Sequence, residues 1–132
     1  MINSIKCEQI INELNLDLKE TLFPVTWATV KGTCYKINSI LTQDIIEDNN
    51  NFKFISVKKI YIYIYSSDKI IFEFIPFITL CFNKHVCAFE VKFDEFVDGN
   101  NFIFQNSIIS PIPNHINITA DGTKYITLRS SL

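Results

Sequence analysis

The sequence predicts a mainly β domain, an antiparallel β-sandwich or small β-barrel of roughly eight to ten short strands preceded by one N-terminal α-helix. Three observations carry that expectation. Residues 52–93, FKFISVKKIYIYIYSSDKIIFEFIPFITLCFNKHVCAFEVKF, are dominated by β-branched and aromatic residues with little that favours helix. Turn signals recur at Asn83-Lys84-His85, Asp98-Gly99-Asn100-Asn101 and Asp121-Gly122. Hydrophobic residues make up 48% of the chain and charged residues 20%, which excludes a disordered chain.

At 132 residues a single domain is expected, with the helix over about 3–15 and the β domain over about 24–129. Asn3 or Ser4 can cap the helix, and Cys7, Ile11, Leu14 and Leu18 recur at helical spacing. Pro24 ends that region. Residues 25–37, VTWATVKGTCYKI, read as a strand in which Gly32 marks a bulge or bend, and Trp27 as an anchor of the core. The polar stretch QDIIEDNNN, within 39–51, reads as a loop. A meander follows over 52–59, 60–66, 69–75, 77–82 and 86–93, with Pro76 bending the chain or marking a sheet edge. A strand at Phe102–Gln105 and an extended, proline-stiffened crossing at 110–114 come next. Asp121-Gly122, between HINITA and TKYITL, is the strongest hairpin signal in the chain.

The centre of the meander is itself a hairpin, Tyr61–Tyr65 against Ile70–Phe74 across Ser66 to Lys69. A two- or four-residue connection pairs Tyr65 with Ile70, Tyr63 with Phe72 and Tyr61 with Phe74, which gathers the aromatic rings on one face. Isoleucines fill the other. With both faces apolar, each must meet another layer of the fold, a ligand or a partner chain. Tyr61, Tyr63, Tyr65, Ile62 and Ile64 are therefore the candidate partner-binding residues.

Little points to catalysis. The histidines are His85 and His115, no G-x-S-x-G elbow is present, and Gly32, Gly99 and Gly122 are too scattered for a phosphate-cradling loop. Asp94-Glu95 point to opposite faces if the strand continues. A three-residue turn at 83–85 would oppose Cys81 to Cys87, and with His85 and Cys34 or Cys7 that could form a zinc site; the spacing matches no C-x-x-C knuckle, so buried, reduced thiols and no metal or cofactor are expected. The net charge of −2 and the single arginine, Arg129, disfavour nucleic acid and membrane partners. Met1–Leu22 has no apolar core of a secretory signal, and an intracellular, cytoplasmic or nuclear address is expected. Abundant Ile, Asn, Lys, Phe and Tyr with only 3 Gly is the composition an AT-rich genome yields, which weakens arguments from Ile or Asn enrichment.

Thr26-Trp27, the acidic and Asn-rich loop before Phe52, the central hairpin and Pro113-Asn114-His115-Ile116 are similar in pattern to the core of nucleoplasmin-type histone chaperones over about 90 residues. That resemblance implies an eight-stranded β-sandwich and pentamers. The chain lacks the acidic tracts and turn glycines of that family, and no functional residue carries over. The leading expectation is a non-enzymatic protein–protein interaction module or assembly subunit whose partner is another protein or a second copy. The alternatives are an OB-like single-stranded nucleic-acid binder, a barrel around an apolar small molecule and a nucleoplasmin-like chaperone.

Overall fold

The computed structural model describes residues 4–16, 22–46, 51–63, 69–95 and 101–129. The helix α1 spans Ser4–Leu14. It stops where Asn15 turns left-handed (φ 54) and the Leu16 N–H closes back on the Ile11 carbonyl at 3.0 Å, the Schellman arrangement in which an Asn stands in for Gly. Among the described residues ten strands follow: β1 Leu22–Val25, β2 Trp27–Val30, β3 Thr33–Lys36, β4 Ile40–Ile46, β5 Asn51–Tyr63, β6 Lys69–Asn83, β7 Ala88–Phe93, β8 Asn101–Phe104, β9 Ser110–Ile118 and β10 Lys124–Thr127. A short 3-10 turn at Gln105–Ser107 joins β8 to β9.

Six strands close a barrel in the order β5-β4-β9-β10-β7-β6, with β6 paired back to β5 and every pairing antiparallel. Closure removes the edges that a sandwich would leave. The fold is thus the barrel of the two expected architectures, and not the eight-stranded sandwich that the nucleoplasmin resemblance implied. No helix of the described residues is long and apolar enough to cross a membrane.

β5 and β6 outrun the barrel. They are 13 and 15 residues long, not short, and their far halves form an arm with β1 and β8 on its flanks, in the order β1-β5-β6-β8. A register shift between Val57 and Lys59 sets the faces of this arm. It places Val57 and Ile60 in one cluster with Phe72, Phe74, Ala28 and Tyr35, and Tyr61 and Tyr63 in another with Ile10, Leu22 and Ile71. The first cluster is roofed by the β2–β3 hairpin and the second by α1. A third cluster, Ile40, Phe54, Phe77, Phe89, Val91 and Ile126, fills the barrel.

Several expectations give way here. The central hairpin pairs Tyr63 with Lys69, Tyr61 with Ile71 and Ile60 with Phe72, three residues out of step with the expected register. An odd offset moves side chains to the opposite face. Tyr61 and Tyr63 therefore share their side with Ile71, while Phe72 and Phe74 lie on the other. Residues 25–37 are not one strand: Lys31 (φ 50) and Gly32 (φ 85) both adopt left-handed backbone, the signature of a type I′ turn, and fold β2 onto β3. Ile40–Ile46 is a barrel strand instead of a loop; its polar Gln43 and Asp44 stand at a register shift. Pro76 leaves β6 unbroken, because its carbonyl accepts from the Asp94 N–H at 3.0 Å just past the end of β7, so its missing donor falls outside the ladder.

Pro24 ends no element: β1 runs through it, as an edge strand of the arm. Other elements come out as expected. Asp121-Gly122 closes β9 onto β10: the Gly122 N–H (φ 88) donates to the Thr119 carbonyl at 2.9 Å. The expected turn at Asp98-Gly99-Asn100 and the loop at 47–50 lie outside the described residues.

Candidate functional site

The described part of the tyrosine ribbon is packed within the fold. Tyr61 and Tyr63 are 1% and 4% exposed beneath α1, and Ile62 is half-buried on the opposite face. Ile64 and Tyr65 lie outside the described residues. The Tyr61 hydroxyl donates to Glu73 Oε1 at 3.2 Å inside this layer. Burial pushes the phenol well above its usual range, and the Glu73 carboxylate adds to the shift. On the hairpin side Tyr35 plays the matching part. Its hydroxyl donates to the Pro111 carbonyl at 2.6 Å and accepts from Gln105 Nε2 at 3.1 Å, tying β3 to the segment that leads into β9. Burial raises its pKa, with the Gln105 bond acting the other way.

Cys34, Cys81 and Cys87 do not gather. The β6–β7 turn is 84–87, with Asn83 opposite Ala88 and Cys81 opposite Glu90, so Cys81 and Cys87 are not cross-strand partners. Asn83 Oδ1 accepts the His85 N–H at 2.9 Å and Cys87 takes a left-handed φ of 52, which together fix a four-residue turn. Cys34, Cys81 and Cys87 are exposed, not the buried thiols expected. Among the described residues no three His, Cys, Asp or Glu side chains are grouped to hold a metal ion.

Trp27 is likewise no core anchor. It stands opposite Lys36 on the outward face of the β2–β3 hairpin and is 61% exposed. Below this hairpin a shallow groove of about 300 Å³ runs between Val30, Lys31, Gln105, Asn106, Ile108 and Pro111.

The two ends of the barrel differ in chemistry. At the β6–β7 end an aromatic series leads outward from the core: Phe54 to Phe89 at 5.5 Å between ring centroids, Phe89 to Phe52 at 5.0 Å and Phe89 to Phe82 at 5.0 Å. Phe82 ends that series half in solvent, 47% exposed. Beside it Leu80 is turned out by a register shift between Thr79 and Cys81, and Val86 stands on the turn; both are exposed. The expected turn at 83–85 would set Phe82 opposite Val86 and not Phe89, and the bulge that exposes Leu80 left no residue signature. At the far end Phe93 stacks on Phe77, 4.6 Å apart and 17° from parallel, under the ammonium groups of Lys58 and Lys124.

No family model, curated protein or solved structure matches this chain.

Proposed function

We propose that this protein is a non-enzymatic interaction module or assembly subunit whose contact surface is the β6–β7 end of the barrel. The observation that carries the reading is the group Leu80, Phe82 and Val86, three large apolar side chains held out to solvent on one hairpin by a bulge and a four-residue turn. Hydrophobic side chains scattered singly on a surface need no partner, but a set gathered on one rigid hairpin is the pattern of a contact patch. The tyrosine ribbon is not part of this surface, since Tyr61 and Tyr63 already spend their apolar area on α1. The barrel interior is filled by Phe54, Phe77, Phe89, Val91 and Ile126, so an apolar small molecule would have to displace core side chains to enter. His85 and His115 are exposed on separate elements, which supports the non-enzymatic reading.

The test compares the wild-type chain with a Leu80→Asp/Phe82→Asp variant by light scattering, apolar-dye binding and affinity capture from its source cells. The expected result is a defined assembly or captured partner, with dye binding, in the wild type and their loss in the variant at unchanged circular dichroism. A dispersed wild-type monomer that binds no dye, or an identical set of captured proteins for both chains, overturns the reading.

A further inference from the structure

The end of the barrel opposite the β6–β7 turn carries two lysines at inward-facing positions. Lys124 alternates with the core residue Ile126 on β10 and stands opposite Val91, another core residue. Lys58 continues the inward series of Phe54 and Ser56 at the bulge of β5. Small barrels fill such positions with apolar side chains, and both lysines are half-buried here. Their ammonium groups converge on one ring, 5.4 and 5.5 Å from the centroid of Phe93. Phe77 covers one face of that ring.

A cation over an aromatic face is ordinary, but a second cation on the same ring meets the charge of the first. Among the described residues neither ammonium has a carboxylate within ion-pair distance. Lys58 Nζ instead donates to Asn38 Oδ1, a neutral acceptor, at 3.1 Å. Asn38 is held for this in a left-handed turn (φ 73), its N–H donating to the Val57 carbonyl at 2.7 Å while the Val57 N–H donates to the Ser39 carbonyl at 2.9 Å. Two positive groups from strands on different sides of a barrel mouth thus stand over one aromatic ring, with an amide whose Nδ2 is a further donor beside Lys58. Barrel mouths are a preferred place for ligands.

We infer that this mouth binds a compact oxyanion of the phosphate class between Lys58 and Lys124, with Asn38 as the neutral partner. The anion would meet both ammonium groups through charge-assisted hydrogen bonds. Phe93 fixes the depth at which it sits. Lys92 is the natural control: it faces outward opposite Ile78 and lines a separate cavity of about 60 Å³ with Phe93 and Glu95. The inference is independent of the contact proposed at the β6–β7 end, which lies across the barrel.

The experiment titrates inorganic phosphate into the intact chain and follows the lysine side-chain resonances by NMR. Saturable shifts at Lys58 and Lys124, with Lys92 unmoved, are expected. Lys58→Gln or Lys124→Gln should each weaken binding roughly tenfold, the size of one charge-assisted hydrogen bond, and Lys92→Gln should not change it. A phosphoserine peptide that binds more tightly than inorganic phosphate marks a phosphorylated partner as the source of the group; equal binding marks a free anion. Shifts that do not saturate, or equal weakening by Lys92→Gln, overturn the site. So does oligothymidylate binding at these lysines with no response to inorganic phosphate, which would mean an extended polyanion.

Discussion

In the arm, where Ile60–Tyr63 runs against Lys69–Phe74, α1 covers one face and the β2–β3 hairpin the other. In the barrel half of the same two strands the sheet closes on itself, and Leu80 on its outside remains exposed. Equally apolar segments thus meet different fates according to what the neighbouring chain can lay over them. An apolar face shows that a cover is required and not who supplies it. Here the helix and the hairpin that precede the barrel supply it for the arm. The β6–β7 end is left to a partner in the proposed reading.

The largest expected effect separates the two regions directly. Phe72 is fully buried in the arm and its ring lies 5.2 Å from that of Tyr35. Phe72→Ala removes a packed ring and leaves a cavity between sheet and hairpin, at a cost of about 3–5 kcal/mol. Phe82→Ala, at the exposed end of the same strand, should cost about 1 kcal/mol or less, as surface changes do. Urea denaturation of both variants measures the contrast. Equal losses would mean that the β6–β7 end is as tightly packed as the arm, and the comparison would fall.

Much of this contrast is hidden in the sequence for identifiable reasons. Strand-forming stretches, the helix and the Asp121-Gly122 hairpin were legible, because periodicity and left-handed turn residues are local signals. Register was not, since Ser66-Ser67-Asp68 dictates no particular turn and the shift at Lys58 has no residue of its own. One bulge exchanges the faces of all that follows, so of the cover expected for this ribbon (fold, ligand or partner) it is the fold, through α1, that covers Tyr61 and Tyr63. The exposed Trp27 failed for another reason: large aromatics are buried on average, and the average yields to a two-stranded hairpin with only one face to bury. The lysine pair at the barrel mouth was unreadable because residues 58, 93 and 124 meet only through closure.

An intermediate effect probes how the arm tolerates its polar groups. Tyr61→Phe deletes the hydroxyl that donates to buried Glu73 while keeping the ring, and should cost about 1–3 kcal/mol. Its pH dependence has a definite sign. The unfolded phenol titrates near 10.0 and the folded one above it, so the stabilisation is complete below that pH. As pH rises further the unfolded chain loses its proton first, and the contribution disappears through the folded value. Wild-type stability should therefore fall more steeply than that of Tyr61→Phe on the alkaline side, with Tyr35 leaving a residual slope in both. Parallel alkaline limbs would show that this hydroxyl is not held in a dry layer.

The smallest effect belongs to the exposed β9–β10 turn, far from either covered face of the arm. The Asp121 carboxylate accepts from the Thr119 hydroxyl and from the Thr123 N–H at 3.1 Å, and these bonds hold its pKa down to about 2 against an ordinary 3.8. A depressed carboxylate contributes stability above its unfolded value. That contribution is lost as pH falls from 3.8 through about 2, because the unfolded chain takes up the proton first. Asp121→Asn keeps an oxygen acceptor for the Thr123 N–H but cannot titrate, so its urea midpoint should vary less across that acid range than the wild type's, which should lead at neutral pH and close on the variant as the carboxylate protonates. Fully hydrated hydrogen bonds are weak, which is why this change ranks below the buried ones. Should the two acid limbs superpose, the turn bonds would be too loose in water to bias folding, and the hairpin would rest on Gly122 and its backbone closure.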